Sequence, residues 1–411
     1  MRLALKKSTV DNVIEYFLVI FLVYANGSWL LFEYPSLVKF GMYCLLLLYL
    51  IYDISKTKTI SFPNGFIIFL ALFPLLSKLI NFSKDSDLLN TVSTLIIYAI
   101  LGFYNKKLLF SLLNKFAQII YYLCIASIVF GVLFLINYSW LSIFPVHYNA
   151  LFFGGAEYYN LIIYTDRVIN DFRTQSIFWE PGAWVFNEIF ALYWFLYIRK
   201  DSKVIPVFLV GIALTLSTTG FILIVILGLQ IILFSKDKPL RKKFSITFVS
   251  IVFVIISLAV VVSAITDFSI GRIFYEQTID KLLNHSSDAA AESTNGRLGA
   301  TINAFKIAKD NPIFGIGKQS ADSALFVTSS ISELCYQLGF LYLLVYVYAF
   351  WVTFNKLNLL MSISFVLVML NGEAYSSYIL SSLIVIYGTK NTWFSKTLPV
   401  NQLSGNVLVN Q

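Results

Sequence analysis

The chain has little charge and few residues of the kinds that bind metals. Only 13% of its 411 residues are charged, against about 25% in a typical soluble domain. Its two histidines lie in different segments, and its three cysteines (Cys44, Cys124 and Cys335) fall inside apolar runs. The cysteines therefore cannot form a disulfide framework outside a membrane. The histidines and cysteines also do not form a cluster with the spacing of metal ligands. The composition therefore argues against a soluble domain and against a metal centre.

The sequence consists largely of long runs of apolar residues. Hydrophobic residues make up 58% of the chain, and they fall in blocks of about 16–24 residues, the length that crosses a bilayer core of ~30 Å. We predict an all-α fold, a polytopic transmembrane helix bundle of about 12 spans that forms a single integral membrane domain over residues 1–411. The predicted spans are 12–32, 36–52, 65–81, 88–103, 117–137, 182–198, 204–218, 220–234, 245–265, 330–354, 358–370 and 377–389.

The distribution of charge predicts the orientation of this bundle. The net charge is +8, but 19 of the 30 basic residues fall in the termini and short connections on one side, which does not indicate nucleic-acid binding. An excess of Lys and Arg marks the cytoplasmic side, so both termini are predicted to be cytoplasmic. The two long loops, 137–182 and 266–329, are then extracytoplasmic, and loops of this length usually carry function.

The first long loop ends in candidate catalytic residues. Glu180 comes directly before Pro181, so it is either a general base or a carboxylate that favours the positive end of a helix dipole. Glu188 is predicted to lie about two turns inside the next span, where an ionisable group is a candidate functional residue, unless it pairs with a neighbouring helix. Glu180, Trp184 and Glu188 share one helix face, which we expect to line a polar cavity.

Candidate phosphate-binding residues lie in both long loops. A guanidinium binds phosphate oxygens through two parallel hydrogen bonds. Arg173 lies next to a predicted span and Arg297 begins a predicted interfacial helix, although a solvated arginine is the alternative for each. Leu298–Lys309 has the spacing of an amphipathic helix on the outer membrane surface, ended by Asn311-Pro312. Gly315, Gly317 and Lys318 follow it and form either a backbone nest for an anion or a plain turn.

Several catalytic motifs are absent from the sequence. No Asp-x-Asp follows the first predicted span, so a metal-dependent sugar-nucleotide site is poorly supported. The predicted outer loops contain no Ser-x-x-Lys and no Gly-x-Ser-x-Gly nucleophile motif. A third carboxylate, Glu373, lies in the predicted outer loop between the last two spans and is another candidate base.

Five short motifs resemble those of the bacterial O-antigen and capsular polysaccharide polymerases (Wzy type), relatives of the O-antigen ligases. They are RTQSIFWEPG from Arg173 to Gly182, LTLSTTG from Leu214 to Gly220, Asn295-Gly296-Arg297, Gly315-Ile316-Gly317, and LGFL from Leu338 to Leu341. Ligases carry a histidine shortly before the glycine of the tenth span, and Thr328–Glu333 contains none. This difference favours a polymerase over a ligase.

The resemblance implies a metal-independent, inverting glycosyltransferase of the C type in the bacterial inner membrane, with its active site facing the periplasm. Its substrates would be undecaprenyl-pyrophosphate-linked oligosaccharides that enter from the lipid bilayer, so no cofactor is expected. Glu180, Glu188 or Glu373 would be the base, and Arg173 and Arg297 would bind pyrophosphate. A chain-length regulator and a flippase would be its protein partners. The competing interpretations are a lipid-linked oligosaccharide flippase or other transporter and a cell-wall glycan polymerase.

Overall fold

The computed structural model describes residues 9–81, 88–149, 155–168, 173–250, 299, 301–317, 329–372, 374–376, 378–390 and 397–399. Its helices are α1 (Thr9–Tyr24), α2 (Trp29–Glu33), α3 (Pro35–Thr57), α4 (Gly65–Ile80), α5 (Leu88–Gly102), α6 (Lys106–Ile136), α7 (Pro181–Tyr193), α8 (Ile205–Leu214), α9 (Thr218–Leu229), α10 (238–250), α11 (301–310), α12 (Ser330–Thr353), α13 (Leu359–Gly372) and α14 (Ile379–Lys390). Helices α7 and α9 continue as π-helical turns over Trp194–Arg199 and Gln230–Phe234.

Apolar helices make up most of the described chain, as expected of a multi-pass membrane protein. Three of them are long and apolar enough to cross a bilayer: Pro35–Thr57, Lys106–Phe134 and Ser330–Thr353. Six shorter apolar helices accompany them among the described residues. The predicted helical membrane bundle is therefore confirmed, while the number of twelve spans stays a prediction.

Helix α7 lies at the centre of the bundle. It packs against α6, α8, α9 and α13, and every residue from Pro181 to Tyr193 except Gly182 is buried. A helix covered on all sides by others lies in the interior of the bundle rather than against lipid. We call the end of the bundle at which α6 ends and α7 begins the loop face, and the opposite end, at which α6 begins with Lys106, the basic face.

Polar contacts at the basic face explain why α6 begins eleven residues before its predicted span. Lys115 lies 2.8 Å from the Glu15 carboxylate of α1, and both side chains are buried. Ser111 donates a second hydrogen bond to Glu15 at 2.7 Å, and Tyr49 of α3 donates another. Since Lys115 is paired and enclosed, the helix continues through a position that hydropathy alone marks as a boundary.

The first long loop contains structure that the sequence did not predict. Strands β2 (Val146–Tyr148), β3 (Glu157–Asn160) and β4 (Thr165–Arg167) form a three-stranded antiparallel sheet. The predicted all-α class describes the bundle but misses this sheet and the pairing of β1 (Thr59–Ser61) with β5 (Thr397–Pro399).

Tyr158 joins the sheet to the loop face. Its ring is buried in a cluster with Trp29, Phe32 and Trp179, and its hydroxyl donates to the Glu33 carboxylate at 2.5 Å. Burial, and then this carboxylate, raise the pKa of Tyr158. The sheet therefore covers the loop face rather than extending away from it.

The predicted amphipathic segment of the second loop is helical over 301–310 and ends immediately before Asn311-Pro312, as expected. Its buried face consists of Ala304 and Ala308, while Ile302 and Phe305 are exposed. The Phe305 ring stacks on Phe340 of α12 at 5.8 Å. Most of the second loop, including the start of the predicted helix at Leu298, lies outside the described residues.

Candidate functional site

The segment Arg173–Glu180 is held in the loop face by backbone hydrogen bonds from three directions. Thr174 N donates to the Leu214 carbonyl oxygen at the end of α8 (3.1 Å). The Ser176 carbonyl oxygen accepts from Thr165 N in β4 (2.7 Å), and the Ile177 carbonyl oxygen accepts from Trp29 N (3.0 Å). Hydrogen bonds to α8, β4 and α2 hold this segment in one position against the helix bundle. The residues at its two ends, Arg173 and Glu180, are therefore held at the loop face.

Arg173 lies at the first end of this segment and is partly exposed. Its Nε donates to the Thr215 carbonyl oxygen at 3.3 Å. Thr215 belongs to the turn between α8 and α9, which its hydroxyl stabilises by donating to Ile212 O and accepting from Ser217 N. Two of the motifs noted in the sequence, RTQSIFWEPG and LTLSTTG, therefore meet at this guanidinium.

Several residues that come after Arg173 in the sequence have buried polar side-chain atoms without a hydrogen-bond partner. Among the described residues they include Thr174 Oγ1, Gln175 Oε1, Ser176 Oγ and the indole nitrogen of Trp184. Ser176 also has a positive φ of 54°. Unsatisfied buried polar groups and residues in sparsely populated backbone conformations concentrate at functional sites. These features are consistent with a candidate site around Arg173, and its role in phosphate binding stays a prediction.

Glu180 lies at the other end of the segment, where α7 begins with Pro181 at its first position, as the sequence predicted. Its carboxylate does not cap the helix; it accepts instead from the indole Nε1 of Trp179 at 2.9 Å and remains partly exposed. The Trp179 ring stacks on Tyr378 at 5.0 Å and on Tyr375 at 5.5 Å. The carboxylate is thus held beside an aromatic stack at the loop face.

A buried hydrogen-bond network lies beneath this stack and joins α7 to the residues that follow α1 and α13. Asn26 Nδ2 donates to Asn187 Oδ1 and to the Tyr375 hydroxyl, both at 2.9 Å. Asn187 Nδ2 donates to the same hydroxyl at 2.8 Å, and the hydroxyl donates to the Asn26 carbonyl oxygen at 2.8 Å. Leu380 N, at the start of α14, donates to Asn26 Oδ1 at 2.9 Å, so α14 also takes part in the network.

Sequence reasoning did not single out Asn26, Tyr375 or Glu333. Glu333 lies in the first turn of α12, partly exposed, and accepts from the Ser376 hydroxyl at 2.5 Å. Tyr375 N donates to the Ser330 hydroxyl at 2.7 Å in the same turn. The segment Tyr375–Ser376 therefore lies between the Trp179–Glu180 pair and Glu333. Glu333 falls within the predicted span 330–354, so the available signal was an ionisable residue inside an apolar span, the criterion that had selected Glu188.

Glu188 lies about two turns inside α7, as the sequence predicted. Its side chain is 0% exposed, and the Cys124 thiol of α6 lies beside its carboxyl group. A Cβ at Gly211 of α8 would lie 2.4 Å from Cys124 Sγ and 2.5 Å from Glu188 Oε1. Trp184 stacks on Phe178 at 5.5 Å. Glu180 is partly exposed whereas Trp184 and Glu188 are 0% exposed, and the predicted polar cavity along this helix face stays a prediction.

Gly315 and Gly317 lie where α12 is broken. At Gly339 the helix opens (φ 82°, ψ 173°), which frees the Tyr336 and Gln337 carbonyl groups. Ile316 N donates to Tyr336 O at 2.9 Å, and Gly317 N donates to Gln337 O at 3.1 Å, while Gly315 N donates to Asn311 O.

These three amides are occupied within the protein, which favours the plain turn over an anion nest. The pyrophosphate-binding role of Gly315, Gly317 and Lys318 stays a prediction. Arg297, Lys318 and Glu373 lie outside the described residues.

A narrow apolar crevice, with no room for a water molecule, lies at the loop face between α7, α9 and α13. Its lining consists of Gly182, Phe186, Thr219, Leu223, Met369 and Gly372. Thr219 belongs to the LTLSTTG motif and lies in the first turn of α9, and Gly182 follows Pro181 at the start of α7. Within the described ranges, no group of three or more His, Cys, Asp or Glu residues could hold a metal ion.

Comparison with known proteins agrees with the resemblance noted in the sequence. The family model described as O-antigen ligase matches residues 204–334, which run from just before α8 into the first turn of α12. No curated protein and no solved structure matches the chain. The predicted relationship to the O-antigen ligases is therefore confirmed through this segment, which includes the α8–α9 turn that binds Arg173.

Proposed function

Because residues 204–334 relate this multi-pass membrane protein to the O-antigen ligase family, to which Wzy-type polymerases also belong, we propose that the chain is a polysaccharide polymerase. It transfers the growing glycan from undecaprenyl pyrophosphate to the non-reducing sugar of a new lipid-linked repeat unit. The reaction takes place at the periplasmic face of the bacterial inner membrane, and both substrates arrive through the bilayer. A flippase supplies the repeat units, and a chain-length regulator sets the product length.

The observation that carries this proposal is the fixed segment Arg173–Glu180, which has a guanidinium at one end and a carboxylate at the other. In the proposed reaction the acceptor hydroxyl forms a bond to the anomeric carbon as the bond to the pyrophosphate oxygen breaks. The departing pyrophosphate gains negative charge, which a preorganised arginine stabilises. The acceptor hydroxyl loses its proton to a base. The sugar carbon is inverted, and neither step needs a metal ion.

The roles within this proposal follow from position and exposure. Arg173 binds the leaving pyrophosphate, and Arg297 of the second long loop is its proposed counterpart. Glu180 is the first candidate for the base because it is partly exposed and its carboxylate does not cap α7. Glu373 is the alternative, since it directly follows Gly372, which lines the apolar crevice. The missing histidine in Thr328–Glu333 supports polymerase over ligase.

Deletion of the gene, followed by electrophoresis of surface polysaccharide and of the lipid-linked pool, tests the proposal. A polymerase deletion leaves single repeat units on the final acceptor. Long glycan that accumulates on undecaprenyl pyrophosphate, with a bare acceptor, would instead identify a ligase. Single repeat units retained on lipid in the cytoplasmic leaflet would identify a flippase.

A further inference from the structure

The lipid-facing side of α6 continues beyond the end of the helix. Exposed apolar side chains follow helical spacing along α6 and reappear in the 3₁₀ turn Tyr138–Ile143, where Ile143 is 78% exposed. No Asp, Glu, Lys or Arg interrupts residues 116–156. This uncharged stretch extends well past the roughly 20 residues that cross a bilayer core. The members of this stripe are Val129, Val132, Leu133, Ile136, Trp140 and Ile143.

The 3₁₀ turn has two chemically different sides. A 3₁₀ helix has three residues per turn, so residues i and i+3 lie on the same side. Trp140 and Ile143 therefore share one side, and Ser139 and Ser142 share another. Leu141 is buried in the cluster with Phe134, which fixes the turn against the end of α6. The apolar side is thus presented outward by a fixed element.

The tip of the β3–β4 hairpin gives a second, independent observation, an unusual backbone conformation at Ile162. Ile162 has a φ of +67°, a conformation that is a genuine outlier for a β-branched residue. Its carbonyl oxygen accepts from the Tyr24 hydroxyl and from the indole Nε1 of Trp29, both at 3.0 Å. Its side chain is 65% exposed, so packing of that side chain within the protein does not account for an isoleucine at this position. A turn surrounded by water would be expected to carry Gly or Asn here.

The hairpin tip lies at the level of the last turns of α6. Its flanking residue Tyr164 packs on the rings of Phe130 at 5.4 Å and Phe134 at 5.9 Å, and Leu161 packs against the same cluster. Ile162 and Ile163, between them, are both exposed. The 3₁₀ turn and the hairpin tip thus present uncharged apolar side chains from two separate elements where the membrane-spanning helix ends.

We propose that Trp140, Ile143, Ile162 and Ile163 form a lipid-contact surface that inserts into the headgroup and acyl-chain boundary of the bilayer. Its continuity with the lipid-facing stripe of α6 identifies the bilayer as the occupant. Tryptophan is enriched at this depth of membrane proteins. Burial of a branched apolar side chain in lipid gains free energy of the same order as the backbone strain at Ile162. The surface anchors the first loop, and with it the Arg173–Glu180 segment, at the membrane.

Site-specific labelling tests this surface. Cys44, Cys124 and Cys335 are replaced, and an environment-sensitive fluorophore is attached to Ile143→Cys or Ile163→Cys in phosphatidylethanolamine–phosphatidylglycerol nanodiscs. Acyl-chain nitroxide lipids should quench both labels as strongly as one at Leu133→Cys on α6. A label at Ser142→Cys, adjacent in the chain but on the serine side, should be quenched by aqueous iodide instead.

Two labelling results would overturn the proposal. Iodide access at Ile143→Cys equal to that at Ser142→Cys would show that the surface is in water. Shielding at Ile143→Cys that develops only when a second membrane protein is added would assign the surface to a protein partner.

Ile162→Asn in the natural chain, which needs no cysteine replacement, gives a separate test. Asparagine adopts positive φ more readily, so the apparent Tm in detergent should stay unchanged or rise. In the labelled protein the same substitution should remove the nitroxide quenching at Ile163→Cys. Unchanged nitroxide quenching at Ile163→Cys in this variant would contradict the proposal. None of these readouts requires polymerase activity, so they remain informative whatever the reaction is.

Discussion

A Cβ on residue 339 would lie 2.5 Å from the carbonyl oxygen of Ile313, so Gly339 and Ile313 can be neighbours only because residue 339 has no side chain. The contact is reciprocal, since a Cβ on Gly315 would lie 2.5 Å from the Tyr336 carbonyl oxygen. Phe340 N, freed by the break in α12, donates to Pro312 O at 2.8 Å. The second long loop is therefore joined to α12 by backbone contacts. Irregular backbone at membrane depth is tolerated only where such partners satisfy it.

Gly339→Ala is therefore expected to destabilise the protein strongly. The positive φ alone costs about 1–3 kcal/mol for a residue with a side chain, and the overlap with Ile313 adds to that. We expect a clear fall in the apparent Tm in detergent. Gly65→Ala is the control, because a Cβ at the start of α4 would meet no atom within 4 Å. Equal Tm values for the two variants would contradict a close packed junction at Gly339.

The hydropathy pattern predicted the helices better than their interruptions. The predicted span 36–52 corresponds to α3, and 330–354 corresponds to α12. The first predicted span, 12–32, is in fact α1 followed by a break at Ala25–Ser28 and the short α2. The Ser28 hydroxyl accepts from Leu30 N, and Trp29 N bonds to Ile177 O. Hydropathy does not report hydrogen bonds to residues 148 positions away in sequence, so such breaks are not visible in it.

The candidate site was predictable only where a local motif marked it. Arg173 and Glu180 are part of one short motif, and the structure holds both at the loop face. Asn26 and Tyr375 are 349 positions apart and form one network, which no local pattern indicates. Glu188 was selected because an acid inside a span is unusual, but its burial beside Cys124 depends on how three helices pack. Spacing along one helix cannot predict such packing.

Substitution of Arg173 should abolish polymerisation even when the positive charge is kept. An ammonium cannot reproduce the two parallel bonds of a guanidinium to phosphate oxygens, so Arg173→Lys should leave single repeat units on the surface polysaccharide. Arg199→Lys is the matched control, because Arg199 lies at the basic face over the Phe195 ring, 4.8 Å from its centroid. Complementation of the deletion strain, with gel analysis of chain length, measures both. Wild-type lengths with Arg173→Lys would remove this residue from the site.

The Tyr375 hydroxyl should contribute measurably to stability because it connects three elements. Tyr375→Phe leaves the Asn26 carbonyl oxygen without this donor and removes the acceptor of two amide groups. We expect a loss of about 1–3 kcal/mol, the range for a buried polar group that loses its partner. Tyr122→Phe, at a ring that is mostly exposed, should not change the apparent Tm.

A double-variant cycle separates this network from independent contacts. Asn187→Ala and Tyr375→Phe remove opposite ends of the same hydrogen bond, so their combined effect on stability should be smaller than the sum of the single effects. Additive losses in chemical denaturation would mean that the two side chains act separately.

Glu180 directly precedes α7 and Glu188 lies inside it, and the same substitution should affect them differently. Glu180→Gln removes a partly exposed carboxylate that caps nothing, so the folded protein should keep its Tm while polymerisation is lost if Glu180 is the base. Glu188→Gln keeps the volume of a side chain that is enclosed by Cys124 and Gly211, so polymerisation should persist. Gly211→Ala, which forces a methyl group to 2.5 Å from Glu188 Oε1, should lower the Tm.

The reverse result, with activity lost at unchanged Tm for Glu188→Gln and retained for Glu180→Gln, would transfer the role of base to the buried carboxyl group. Substrate would then have to reach the interior of the bundle between α6 and α8, where the structure has only packed side chains.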